Sequence, residues 1–323
     1  MEKKRKLIIL TGPTAVGKTE ASIHLAKGIG GEIISADSIQ VYQKMNIGSA
    51  KILPEEMEGV PHYLVDCLDP KEEFSVYVFQ KMCKEAMEII YQKGKIPIIV
   101  GGTGFYIQSV LYDIDFSKES TDHSYRKELE TFAREKGNHA LWERLREVDP
   151  ASAKAIHENN RKRVIRALEY FKEEKSPISK HNEEQRKKTS PFDFCYFVLN
   201  RQRETLYQRI NERVEQMVQQ GLEQEVLELL QDGYDPSLTS MQGIGYREMI
   251  SYLKGNLTKE EAIEEIKKNT RHFAKRQITW FKREPDTIWV NYEHFHNSVS
   301  EMVSFMEESI HQLDRRIIDH RFE

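Results

Sequence analysis

The sequence predicts an α/β protein, a parallel sheet with flanking helices and an inserted all-helical domain, and three observations carry that expectation. Short apolar runs bounded by glycine, Leu7-Ile8-Ile9-Leu10 and Ile96-Pro97-Ile98-Ile99-Val100, have the length and composition of buried strands. Helical patterns lie between them, and strands that alternate with helices imply parallel pairing. From about Asp115 the strand signal stops, and charged helical sequence continues to about residue 190.

In chain order, the strand at Leu7 to Leu10 runs into a glycine-bearing turn and then a helical pattern at Ala21, Leu25 and Ala26. Ile33-Ile34 before Ser35 reads as a second strand, and an amphipathic helix over Phe79 to Tyr91 leads to the third, Ile96 to Val100. Leu129, Phe132, Leu141, Leu145 and the stretch Arg161 to Phe171 make residues 116–190 the helical insertion, with 1–115 and 191–323 as the core. Phe192 to Leu199 and Thr287-Ile288-Trp289-Val290 are aromatic and β-prone, so the chain is expected to rejoin the sheet at both places. A terminal helix and charged tail follow about Asn297, and no fixed-period repeat is present.

At 323 residues the chain is long enough for two domains of about 150 residues each. Its 48 basic and 52 acidic side chains give a formal charge of -4, which excludes a general polycation, so any nucleic-acid site must be a local patch. Cys67, Cys83 and Cys195 are scattered without a CxxC pair, against a disulfide framework or a cysteine-built zinc site. The apolar run at Leu7 is too short for a signal peptide or a membrane span, and a soluble, cytoplasmic protein is expected.

Gly12-Pro13-Thr14-Ala15-Val16-Gly17-Lys18-Thr19 matches GxxxxGK[ST] directly after a buried strand and at the start of a helix. Backbone amides and the helix N-terminus there face an anionic phosphate, Lys18 neutralises its oxygens, and the Thr19 hydroxyl can bind magnesium. Asp37 in Ser35-Ala36-Asp37-Ser38-Ile39-Gln40 follows the second strand at the same sheet edge. A carboxylate there can take a proton from a nucleophile or bind magnesium, although Asp37 and Ser38 could also cap a following turn. Gly101-Gly102-Thr103-Gly104 after the third strand fits a ligand loop or a tight turn, and its place after a strand favours the loop.

Lys267, Lys268, Arg271, Lys275, Arg276, Lys282 and Arg283 stand in a window without an acidic residue, among Phe273, Trp280 and Phe281. Arg161, Lys162, Arg163 and Arg166 form a second basic cluster and Arg186, Lys187 and Lys188 a third. Any one of them could be a solvated helix face; three in a net acidic chain point to a polyanion.

The motifs GPTAVGKT at Gly12, ADSIQVY at Ala36 with KMNIG at Lys44, VGGTGFY at Val100, NNRKRVIRALE at Asn159, MQGIGYRE at Met241 and AKRQITWFKR at Ala274 together resemble tRNA dimethylallyltransferase, also called tRNA isopentenylpyrophosphate transferase. The resemblance runs in order along nearly the whole chain and is weakest at about 115–155 and after 291. It implies a P-loop NTPase-like core reused to bind dimethylallyl diphosphate, with the prenyl group moved to the exocyclic amine of the adenosine after the anticodon of tRNAs reading codons that begin with U. Lys18, Arg213 and the loop amides would then hold the diphosphate, Thr19 would bind Mg2+, and Asp37 would be the base. Ser38, Ile39 and Gln40 would meet the flipped adenosine, and Thr103 the tRNA or the leaving diphosphate.

Arg209 and Arg213 lie four apart on one helix face, and the resemblance asks for one diphosphate-binding arginine there, with Arg213 favoured; surface pairing with Glu212 or Glu215 is the alternative. Gln242, Gly243, Ile244, Gly245, Tyr246 and Arg247 would lie against the anticodon loop, and Asn160, Arg161, Lys162, Arg163 and Val164, with Arg126, would contact the tRNA from the insertion. Eukaryotic relatives carry a C-terminal zinc finger, whereas no cysteine follows Trp289, so the chain resembles the bacterial form. A monomer is expected. Two other readings are a small-molecule kinase using ATP and a nucleotide-gated RNA-binding module; Asp37 beside the cradle and the lack of a Walker B type carboxylate speak against both.

Overall fold

A computed structural model describes residues 4–116 and 124–319. The chain forms two compact units, one from Met1–Val110 and Pro191–Glu323, the other from Leu111–Ser190.

The first unit is built on β1 (Arg5–Thr11), α1 (Lys18–Ile29), β2 (Gly31–Ala36), β3 (His62–Tyr63), α2 (Val76–Gln92), β4 (Ile96–Gly101) and α3 (Gly104–Leu111). Leu7, Ile8, Ile9 and Leu10 are all fully buried. That is why the run is continuously apolar: a central parallel strand is covered on both faces. The third strand expected from sequence is the fourth of the chain, because β3 is an edge strand of two residues, too short to give a periodic signal.

The second unit contains α4 (Ser124–Val148), bent at Gly137 where φ is +88°, then α5 (Pro150–Ala155), α6 (Arg161–Glu174) and α7 (Ile178–Arg186). Leu129, Leu141, Leu145, Val164 and Leu168 form its core. Asp149 accepts from the amide and hydroxyl of both Ser152 and Ser179 at 2.6 to 3.0 Å, so one buried carboxylate ties α5 to α7.

The chain returns to the sheet with β5 (Phe192–Asn200), continues through α8 (Arg203–Gln219), α9 (Leu222–Gln231), α10 (Tyr246–Leu253) and α11 (Lys259–Phe281), and closes with β6 (Thr287–Asn291) and α12 (Val299–Asp319). Strand order is β3-β2-β4-β1-β5-β6, with every pairing parallel. The fold is therefore the α/β class expected. No helix among the described residues is long and apolar enough to cross a membrane.

Parallel pairing puts all strand ends on one edge. Register pairs Thr11 with Gly101, Ala36 with Gly101, and Asn200 with Asn291. Gly12, Asp37, Gly102, Arg201 and Tyr292, each the next residue after a strand, consequently emerge side by side, where open α/β sheets bind ligands.

Candidate active site

The loop after β1 is anchored before it turns: the Thr11 hydroxyl donates to the Gly101 carbonyl at 2.6 Å. Gly12 lies at φ +146° against the Leu199 carbonyl, so a side chain there would collide with backbone. Lys18 folds back over the loop and donates to the carbonyls of Gly12 and Pro13 at 3.0 and 2.9 Å. Burial and the neighbouring Arg213 push the Lys18 ammonium down to about 7, against the opposing pull of Asp37.

One oxygen of Asp37 accepts from the amides of Ile39 and Gln40 at 2.8 and 3.2 Å. The turn-capping alternative is thus real. It does not compete with the functional one, since the second oxygen makes no hydrogen bond among the described residues and Asp37 lines a cavity with Lys18 and Thr19. Ile33, Ile52, Val65 and Val100 make one wall apolar, and Arg209, Arg213 and Gln277 stand at its wider, polar side.

Arg209 and Arg213 both reach this polar side. Arg209 is exposed and uses its Nε on the Ala15 carbonyl at 2.9 Å, whereas Arg213 is half-buried and makes no hydrogen bond among the described residues. Burial presses the Arg213 guanidinium down from its ordinary value and Asp37 counteracts this. Gln40 donates to the carbonyls of Ser49 and Ala50 at 3.2 and 3.1 Å, and Ser38 and Ile39 are partly open. The Thr103 amide donates to the Ala36 carbonyl at 3.3 Å, which joins the GGTG loop to the root of Asp37.

Other residues singled out from the sequence are placed differently. Tyr246 is fully buried and its hydroxyl donates to Glu225, and Val164 is fully buried in the helical unit, so neither side chain can meet a ligand directly. Both look polar-adjacent in sequence but fill helix positions that face inward. Gln242 donates to the Pro236 carbonyl at 2.6 Å, and Gly243 leaves room for Ile39, whose Cδ1 would lie 3.3 Å from an added Cβ. Ile244 is partly open, Gly245 takes φ +99°, and Arg247 is exposed beside Glu248. Arg126 makes a two-pronged contact with Glu169 at 2.9 and 2.7 Å. Asn160 precedes α6, and Arg161, Lys162 and Arg163 are exposed on its first turn.

The basic window at 267–283 is less naked than its sequence suggests. Lys267 pairs with Glu215 and Glu264, Lys268 pairs with Glu265, and Arg271 donates to Asn211. In the third cluster Lys187 pairs with Glu183 and Lys188 with Asp115. The counter-charges come from outside each window: from α8, from one turn away along the chain, or, for Lys188, from Asp115 ahead of α4.

Sequence reasoning passed over Gln277, Glu225, Arg201 and Tyr292. Gln277 accepts from the Thr14 amide at 2.9 Å and donates to the Gly102 carbonyl at 3.0 Å, bridging the two ligand-facing loops. Its sequence signal is its place in the AKRQITWFKR motif, where no role was assigned to it.

A family model described as IPP transferase matches residues 40–284, and one described as isopentenyl transferase matches residues 5–70. The chain belongs to the IPP transferase family. Among relatives, a protein named tRNA dimethylallyltransferase from Lachnoclostridium phytofermentans is 58% identical over 305 residues, 94% of this chain and 97% of that one. Another of the same name from Carboxydothermus hydrogenoformans is 50% identical over 284 residues, 88% of this chain and 91% of that one. The crystal structure of a Bacillus halodurans tRNA isopentenylpyrophosphate transferase superposes with a TM-score of 0.72 at 41% identity, covering 98% of this chain and all of that one. A eukaryotic dimethylallyltransferase described as acting on tRNA gives a TM-score of 0.78 at 33% identity over 89% of this chain and 74% of that one. Family kinship and the parallel sheet with its phosphate loop agree, and the kinase reading is not favoured.

Proposed function

We propose that this chain transfers the dimethylallyl group of dimethylallyl diphosphate to the exocyclic amine of the adenosine 3′-adjacent to the anticodon, in tRNAs reading codons that begin with U, and releases diphosphate. The reading is supported above all by the convergence of the phosphate-type loop, Asp37 and Arg213 on one cavity, in a chain whose relatives are named tRNA dimethylallyltransferase. It acts as a monomer in the cytoplasm.

The diphosphate is held by Lys18, Arg213 and the amides of the loop from Gly12 to Thr19, with Arg209 at the rim. As the amine nitrogen bonds to C1 of the prenyl group, the C1–O bond breaks and its electron pair leaves on the diphosphate. The cations stabilise that growing negative charge where it forms. An amine conjugated to a purine is a poor nucleophile, and Asp37 accepts its proton as the new bond forms. The two amides that hold one Asp37 oxygen fix the direction of the other. The apolar wall of Ile33, Ile52, Val65 and Val100 keeps water from an allylic centre that would otherwise be hydrolysed.

The residues fit a divalent metal: the Thr19 hydroxyl is a hard oxygen donor on the cavity wall, while the free Asp37 oxygen is kept for the amine proton. Among the described residues no three His, Cys, Asp or Glu side chains are grouped to hold an ion, so substrate oxygens and water would complete the shell, the habit of Mg2+. Bound there, it would neutralise diphosphate charge.

Ser38, Ile39, Gln40 and Thr103 surround the adenosine, which must be flipped from its stack at a cost of about a few kcal/mol. Gln242, Gly243, Ile244, Gly245 and Arg247 face the anticodon loop, and Arg126, Asn160, Arg161, Lys162 and Arg163 hold backbone phosphates, contacts that position without reading sequence. Arg126 exchanges Glu169 for phosphate in doing so. The test is transfer of labelled dimethylallyl from its diphosphate to unmodified tRNA: label on the adenosine after the anticodon is expected, and ATP consumption without transfer would overturn the reading.

A further inference from the structure

β5 and β6 are paired in register to their last residues, Asn200 and Asn291, whose side chains also bond to each other at 2.9 Å. The next residue on each strand, Arg201 and Tyr292, therefore emerges beside the other, and the Arg201 guanidinium lies 3.3 Å above the Tyr292 ring. Both reach the loop after β1. Arg201 Nε donates to the Val16 carbonyl at 3.0 Å and the Tyr292 hydroxyl donates to the Gly17 carbonyl at 3.2 Å. Gly17, at φ +109°, sits so close to that hydroxyl that a side chain there would collide with it. Arg201 is itself held, since Nη1 donates to Asn297 Oδ1 at 3.1 Å and the following amide, Gln202 N, donates to Glu293 Oε1 at 2.7 Å.

In a trans peptide the carbonyl of one residue and the N–H of the next point in opposite directions. Fixing the Val16 and Gly17 carbonyls on the Arg201–Tyr292 side therefore aims the Gly17 and Lys18 amides the other way. Those amides stand at the N-terminus of α1, where the helix provides them with no intrahelical acceptor. The preceding residue, Ala15, is a non-glycine at φ +62°, so this apex does not take its shape for intrinsic reasons.

We propose that Arg201 and Tyr292 are positioning residues that hold the apex of the phosphate loop in its anion-binding shape while touching no substrate themselves. The inference rests on the reading that this loop binds a diphosphate. Arg201 cannot be replaced by lysine, which lacks both the planar face for the ring and the fork that engages Val16 and Asn297 together.

The test titrates inorganic diphosphate with Mg2+ into wild type, Arg201→Lys and Tyr292→Phe by calorimetry, alongside tRNA binding, thermal melting and prenyl-transfer kinetics. Arg203→Ala, an exposed neighbour that lies over Tyr207, serves as control. The expected result is a diphosphate Kd raised about fivefold by Tyr292→Phe and about tenfold by Arg201→Lys, the range for losing one or two hydrogen bonds. KM for dimethylallyl diphosphate should rise with it, while tRNA affinity and the Arg203→Ala control stay at wild type and melting temperature falls by no more than about 2–4 °C. Wild-type diphosphate affinity in both variants would overturn the proposal, and so would a parallel loss of tRNA affinity and melting temperature, which would mark a purely structural role. If wild type ignores diphosphate but binds ATP, and ATP binding weakens in the two variants, the clamp stands and the prenyl-transfer reading falls.

Discussion

Tyr246 and Glu225 meet at 2.8 Å in the interior, and the same carboxylate accepts the amides of Asn46, Ile47 and Gly48 at 2.8, 2.7 and 3.0 Å. Burial first, and the Glu225 charge second, drive the Tyr246 phenol far above its ordinary value, so it stays a donor. This one side chain fixes α9 and α10 to the segment that follows Asp37. Glu225→Gln would turn an amide group toward backbone donors and should lower unfolding free energy by roughly 2–4 kcal/mol, with Tyr246→Phe costing about 1 kcal/mol. Urea denaturation of the two variants against wild type measures both.

Asp37→Asn keeps an oxygen for the Ile39 and Gln40 amides, so the turn should survive. Loss of the base should reduce kcat by about 10²- to 10⁴-fold with tRNA affinity unchanged. Single-turnover prenyl transfer beside a tRNA binding isotherm separates the two effects; equal turnover would remove Asp37 from the chemistry.

Lys18, lowered to about 7, is charged below that pH and increasingly neutral above it. An anion bound beside it raises its proton affinity again, so diphosphate binding at pH 8 should draw in about one proton, and at pH 6 almost none. Calorimetry in two buffers of different ionisation enthalpy reads this directly. For the protein without ligand the sign is the usual one for a depressed lysine: the unfolded chain binds the proton more tightly, so this group's contribution to stability rises from about pH 7 toward 10.5.

Arg213→Ala should raise KM for dimethylallyl diphosphate by about 10-fold to 100-fold, the usual cost of a charge-assisted contact, and Arg209→Ala by only about two- to fivefold. The difference follows from Arg209 being exposed and bonded to the Ala15 carbonyl while Arg213 is held at the cavity wall near Asp37. Steady-state kinetics on both variants decide it, and an equal effect would merge the two roles.

Legibility followed the range of the interactions. Gly12 to Thr19 could be read directly, because glycine spacing, lysine and hydroxyl in that loop answer to local backbone geometry and to a charge beside it. Asp37 was readable through its place after an apolar run. The inward turn of the Tyr246 and Val164 side chains was not readable, since a polar or charged neighbourhood along the chain says nothing about which helix face turns inward. Lys267 and Lys268 misled: the carboxylates of Glu215, Glu264 and Glu265 lie outside the window that made them look unpaired.

By itself the sequence determined the class of fold, through the apolar continuity of strands covered on both faces, and the loop chemistry that awaits an anion. Which side chains steady that loop was decided only by tertiary structure. Gln277, Arg201 and Tyr292 lie 263, 185 and 275 residues from the loop positions they bond. Arg201 and Tyr292 reach those positions because parallel register brings the ends of β1, β4, β5 and β6 to one edge, and Gln277 does so from inside α11, bonding Thr14 and Gly102. A hydrogen bond depends on distance and angle in space, and no spacing rule along a chain encodes a partner that a sheet supplies.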